Sequence, residues 1–194
     1  LRTYEQPFWY EICILSFGEK YNPEDKSMDT ALSSSTVTEE TPYLESSPIV
    51  KVARIFHAPI ERVWRAWSNE ELIKQWWGPE SYTTPSAKIN FHVGGKSLLA
   101  MQDSEGKIVW SGGVYKEIIP YKKIVTTDYF SDENGNMPGK WALDYLITVE
   151  FSITEEGQTK MTIAHEGIPK EIHDDCVAGW NSSINKLQRL VEHH

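Results

Sequence analysis

The stretch from Pro169 to Glu192 constrains the fold of this chain more than any other. His173, Val177, Trp180, Ile184, Leu187 and Val191 recur there at steps of four and three, the stripe that a helix of 3.6 residues per turn shows on one side. Asp174, Asn181, Asn185, Gln188, Arg189 and Glu192 fill the other side and suit water. Pro169 fits a first-turn position, where its missing N–H would have no partner in any case. A helix of about 20 residues runs roughly 30 Å, and its stripe has to lie on something apolar of similar length. The upstream chain is expected to supply that surface.

Residues 49–57 are rich in Val and Ile and predict a first strand. Pro59 then opens a helix with Ile60, Val63, Trp64 and Trp67 on one face. Ser68-Asn69-Glu70-Glu71 has the form of a capping box, Ser68 bonding the Glu71 N–H, so a second helix follows through Leu72, Ile73 and Trp76. Gly78-Pro79 stops it. From Ala87 the period changes to two: Ala87, Ile89 and Phe91 alternate with Lys88, Asn90 and His92. Strands are predicted at 97–102, 107–119, 124–130, 145–153 and 159–165, separated by short turns that include Ser104-Glu105-Gly106, Asn134-Gly135 and Glu155-Glu156-Gly157. Gly112-Gly113 predicts a bulge or sharp bend within the longest strand. Short turns imply antiparallel neighbours, and one apolar face per strand gives the sheet a dry side. The fold class is therefore α+β: a curved antiparallel sheet of about six or seven strands, two short helices after the first strand, and a long C-terminal helix on the dry side.

Residues 1–47 read differently. Aromatic residues crowd the first 21 positions without a period, and a Ser/Thr/Glu-rich run follows Met28. The run has little apolar surface to offset ordering entropy, so the segment is expected to be a disordered or non-native extension, with Met28 the natural start and the folded domain spanning 48–194.

Lys and Arg total 19 against 28 Asp and Glu, a net charge of −9. Phosphate backbones and anionic membrane surfaces both select concentrated positive charge, so neither nucleic acid nor membrane is an expected partner. Cys13 and Cys176 are too few and too far apart for a disulfide framework or a zinc site. No apolar run approaches the roughly 20 residues of a membrane span. A cytoplasmic protein with two free thiols is expected.

One set of motifs is familiar. The run from Phe56 to Trp67 (Phe-His-Ala-Pro-Ile-Glu-Arg-Val-Trp-Arg-Ala-Trp), the run from Glu70 to Pro79 (Glu-Glu-Leu-Ile-Lys-Gln-Trp-Trp-Gly-Pro), Gly94-Gly95, the run from Gly113 to Pro120 and Gly179-Trp180 stand in an order and spacing that resemble the activator of heat-shock-protein-90 ATPase-like family over about residues 49–191. The resemblance implies a START-like, birch-pollen-allergen-like helix-grip fold of the SRPBCC superfamily, often with a cavity for apolar ligands between sheet and helix. It also names a chaperone, heat-shock protein 90, as a possible protein partner in stress response. The co-chaperone's separate ATPase-stimulating domain has no counterpart in residues 1–47, so that activity does not transfer with the fold.

No motif assigns a catalytic, metal or cofactor role. The histidines lack metal-ligand spacing. Asp132-x-Asn134-x-Asn136 is followed by Met137 where a calcium loop requires glycine. There is no Gly-x-Ser-x-Gly elbow. The inward register of 145–153 holds no carboxylate. The leading expectation is a non-catalytic binder of a small hydrophobic molecule, with a cavity lined by Trp76, Trp77, Phe91, Trp110, Trp141, Tyr145, His165, His173, Trp180 and Ile184. A co-chaperone-like role is the first alternative. A polyketide cyclase or hydrolase with His165 and His173 as acid and base is the second.

Overall fold

Two runs of the chain, residues 48–136 and 145–193, are described by the computed structural model. In chain order they form β1 (Val50–Phe56), α1 (Ile60–Ser68), α2 (Glu70–Trp76), β2 (Thr83–Ile89), β3 (Lys96–Gln102), β4 (Ile108–Ile119), β5 (Lys123–Ser131), β6 (Tyr145–Ile153), β7 (Thr159–Glu166), a short 3-10 turn (Lys170–Ile172) and α3 (His173–Glu192). The strands make one curled seven-stranded sheet in the order β1-β7-β6-β5-β4-β3-β2, antiparallel throughout. With the long helix and the two short ones it is the expected helix-grip arrangement. No described helix is long and apolar enough to cross a membrane.

The short connections follow from turn chemistry. At the β5–β6 side, the Asp132 carboxylate accepts from the Asn134 and Asn136 backbone N–H groups and from Asn136 Nδ2, and Gly135 takes the positive φ of 80° that its neighbours disfavour. These bonds, the Asn136 side chain foremost, hold the Asp132 carboxyl below its usual range. Pro85 lies within β2, which the strand order puts at the sheet edge, where a missing N–H breaks no ladder.

Three local expectations are corrected. Helix α1 runs through Ser68, so Asn69 rather than Ser68 caps α2, its Oδ1 accepting from Leu72 N–H at 3.1 Å. The irregularity in β4 falls between Tyr115 and Glu117, not at Gly112-Gly113. Those glycines answer to crowding: a Cβ on Gly112 would meet the Tyr129 ring at 2.7 Å, and one on Gly113 the Thr127 carbonyl oxygen at 2.2 Å. In α3 the inward stripe is turned in its first two turns. Cys176 and Gly179 are buried where Val177 and His173 were expected, and the stripe then continues through Trp180, Ile184, Leu187 and Val191.

Register assigns each strand residue to a face. The inner face carries Val50 and Val52 on β1, Met161, Ile163 and His165 on β7, and Tyr145, Ile147, Val149 and Phe151 on β6. These side chains are all buried, as are Ile184, Leu187 and Val191 of α3. Helix α3 lies against β1 and α2, and α2 lies against β2. A separate small core joins Ile73 of α2 to Ala87 and Leu99, with Trp77 and Ile89 packed on it.

Candidate functional site on the concave face

The two halves of the inner face differ. Under β1, β7 and β6 it is filled by large side chains. Across β3, β4 and β5 the same face carries buried Leu99, Met101, Ser111, Tyr115 and Ile124, and between them Ser97, Val109, Thr126, Asp128 and Phe130, which are only half-buried. Helix α3 lies against β1, at the opposite edge of the sheet from β3 and β2, so these strands are less evenly covered. Gly113, one step along from the Gly112–Tyr129 pair and so opposite Asp128, adds no side chain at all.

Polar groups gather where the halves meet. His165, at 2% exposure, comes from β7 and Asp128 from β5, while Cys176 and Trp180 reach down from α3. Trp180 Nε1–H donates to His165 Nδ1 at 3.2 Å, and Cys176 Sγ lies 3.7 Å from the same nitrogen. An indole N–H can only donate, so Nδ1 is the acceptor and the proton of the neutral ring sits on Nε2. That nitrogen stands 3.9 Å from Asp128 Oδ2, outside hydrogen-bond range. Burial sets the ionisation of all three groups. It holds the His165 imidazole down at about 4, pushes the Asp128 carboxyl up to about 7, and raises the Cys176 thiol to about 12 with help from the Asp128 charge. At neutral pH the cluster is an uncharged imidazole, an uncharged thiol and a carboxyl near its midpoint. Such a thiol is a poor nucleophile.

A cluster of indoles flanks this point. Trp67 touches Trp76, Trp77 and Trp180 at centroid distances of 4.8, 6.3 and 6.3 Å. Trp77 stands edge-on to Trp180 at 5.7 Å. Lys186 of α3 ties down the chain after α2, its ammonium donating to the carbonyls of Trp77, Gly78 and Tyr82 at 3.3, 3.2 and 3.0 Å.

The residues singled out from sequence fall into separate groups. Tyr145, His165 and Trp180 meet, with the Tyr145 and Trp180 rings edge-on to the imidazole at 5.8 and 6.0 Å. Trp76 and Ile184 are fully buried core, and Trp76 Nε1–H donates to the Ala66 carbonyl. Trp77 is half-buried, as is Phe91, which follows β2 and stands edge-on to Trp64 and Tyr115. Trp110 pairs with Ala100 and Ser131, register positions of the opposite, convex face. His173 starts α3 and pairs with Asp174 at 3.0 Å, so the expected meeting with His165 is replaced by contacts to Cys176, Trp180 and Asp128. Trp141 lies outside the described residues. A recess of about 330 Å³ lies at the ends of β2 and β3, lined by Glu70, Lys88, Asn90, Lys96, Tyr129 and Asn134 among others, and no residue of α3 lines it.

Asp128 and Cys176 were missed. The strand at 124–130 carries the signal for Asp128: Ile124, Thr126 and Asp128 alternate, so an inward Ile124 puts the carboxylate inward too. Cys176 is hidden by the turned stripe of α3.

Comparison with known proteins gives the following. The model of the family described as "Activator of Hsp90 ATPase homolog 1-like protein" matches residues 57–192. A solved protein from Chromobacterium violaceum is 30% identical at a TM-score of 0.63, over 74% of this chain and 96% of that one. A solved protein from Staphylococcus epidermidis is 25% identical at a TM-score of 0.64, over 77% and 95%. An AHSA1-like protein from Aeromonas hydrophila, 18% identical at a TM-score of 0.60 over 76% and 97%, shares the fold. No curated protein matches the chain.

Proposed function

This chain belongs to the activator of Hsp90 ATPase homolog 1-like family, and from that premise we infer that it binds a small, largely apolar molecule on the concave face of its sheet. The observation that supports this is the half-buried run Ser97, Val109, Thr126, Asp128 and Phe130 beside a tightly filled core. Val109 and Phe130, with the small Ser97 and Thr126 and the one carboxyl of Asp128, suit a ligand that is mostly hydrocarbon and carries a polar end. Neutral His165 and weakly acidic Asp128 stand at the boundary and orient it.

A thermal-shift and tryptophan-fluorescence screen of aromatic, polycyclic and long-chain compounds tests the reading. A ligand at 100 times its Kd adds about 2.7 kcal/mol of stability, a clear rise in Tm. Thr126→Phe fills the floor and is expected to abolish the shift while the protein stays folded. A panel in which no compound moves either signal overturns the reading. The family's description supports a second one, partnership with heat-shock protein 90. A pull-down with no binding at tens of micromolar excludes it.

A further inference from the structure

The unused hydrogen of His165 carries the argument further. With Nδ1 accepting from Trp180, the Nε2–H is the ring's one donor, and it meets no partner among the described residues. Upwards of about 90% of buried polar groups find one, and leaving a buried donor unmet is destabilising. The His165 side chain is 3% exposed, so bulk water does not solvate it, while Asp128 keeps 26% exposure on the open side of the pair.

We propose that the hydroxyl oxygen of an alcohol or phenol on an otherwise apolar ligand sits between His165 Nε2 and Asp128, accepting from the one and donating to the other. This rests on the concave-face reading above and names the polar end of that ligand. An oxygen about 2.8 Å from both atoms spans their 3.9 Å gap at an angle of roughly 90°. Nε2 itself is covered and the Asp128 side chain is 26% exposed, so the oxygen enters from the Asp128 side, and that carboxyl has to turn aside to admit it.

Other polar groups fit less well. A carbonyl accepts from Nε2–H and from the protonated carboxyl, but has nothing to donate to the ionised one. A ligand carboxylate meets Asp128 as a like charge. A hydroxyl suits both forms of Asp128, donating to the ionised form and accepting from the protonated one, and both forms coexist near neutral pH. Tyr145 and Trp180, edge-on to the imidazole, leave the body of the ligand an apolar setting.

Matched probes separate the two claims: 2-naphthol, 2-methylnaphthalene (methyl in place of hydroxyl) and 2-naphthoate. Calorimetry is expected to give 2-naphthol at least about ten-fold tighter than 2-methylnaphthalene, a difference of about 1.4 kcal/mol, with 2-naphthoate weakest. Asp128→Leu brings 2-naphthol down to the level of 2-methylnaphthalene measured on the same variant. In the unsubstituted protein, 2-naphthol but not 2-methylnaphthalene moves the His165 Nε2–H proton resonance, a readout that needs no variant to fold. Equal affinities for the two neutral probes overturn the hydroxyl site and leave the concave-face reading standing. A stationary Nε2–H resonance with 2-naphthol bound also overturns it, the imidazole then facing water only. Failure of all three to bind, together with an empty compound screen, removes both claims.

Discussion

His165 and Asp128 make opposite demands on pH. The imidazole is held at about 4 in the folded chain against an ordinary 6.5, so the unfolded chain binds more protons between those values and stability rises with pH across that window. The carboxyl is pushed from 3.8 to about 7, so the folded chain binds more protons between them and stability falls as pH rises. Each pKa unit corresponds to about 1.4 kcal/mol, and between pH 4 and 6.5 the two slopes nearly cancel. Single variants are therefore expected to unmask them. Asp128→Asn gives a Tm that climbs from pH 4.5 to 6.5, and His165→Gln, which keeps an acceptor for Trp180, gives one that falls. Parallel slopes in the two variants would contradict the burial of one group. A second residue-scale prediction concerns Asn69: Asn69→Ala is expected to cost about 1 kcal/mol by losing the α2 cap, and Ser68→Ala close to nothing, read from denaturant midpoints. The capping pattern announced a helix start in the sequence, but Ser68 and Asn69 both suit the role. What decides between them is how far α1 runs, a packing outcome set by Trp64 and Trp67.

At the scale of elements, α3 is held to the sheet by its apolar stripe and to the α2–β2 connection by Lys186, by Ser182, whose hydroxyl accepts from the Glu80 N–H, and by the Arg189–Glu80 ion pair. Leu187, with no exposed surface, is expected to cost about 2–5 kcal/mol when cut to alanine. Lys186→Met keeps the length of the side chain but removes the donor to the carbonyls of Gly78 and Tyr82, while the Trp77 carbonyl keeps its bond from the Thr84 hydroxyl at 2.8 Å. Its expected cost is about 1–3 kcal/mol, with a change in tryptophan emission as Trp77 shifts. Equal stability of Lys186→Met and the parent would mean those carbonyls find water instead. The existence of α3 was plain from its period of 3.6, because the last four turns put Trp180, Ile184, Leu187 and Val191 at the helical spacing. Its start was not: Pro169 precedes a 3-10 turn over Lys170–Ile172 and the helix begins at His173. Nor was the facing of its first turns. Cys176, Gly179 and Ser183 are small, and small residues carry little hydrophobic signal even where they are buried so that a helix can approach a sheet closely.

For the whole molecule, short turns and alternation make consecutive strands antiparallel neighbours, which is why the antiparallel sheet was legible before any coordinates. The pairing of β1 with β7 joins strands far apart in the chain and was not. Which part of its inner face stays open was not legible either, since that depends on where a helix of fixed length comes to rest on a sheet of seven strands. Trp110 shows the limit: without the register of β4 against β3 and β5, nothing in its neighbours says that it faces outward. The uneven cover has a dynamic consequence. Amide hydrogen exchange reports local opening, and the filled half, β6 and β7 with α3 over them, is expected to exchange only by global unfolding. Strands β4 and β5, paired on both edges but half-bare beneath, are expected to open at lower cost. A bound ligand then slows exchange at 108–119 and 123–131 by a factor that rises with its concentration, while β6 and β7 follow the global stability alone. A ligand that protects every strand equally would place its contacts elsewhere than under β4 and β5.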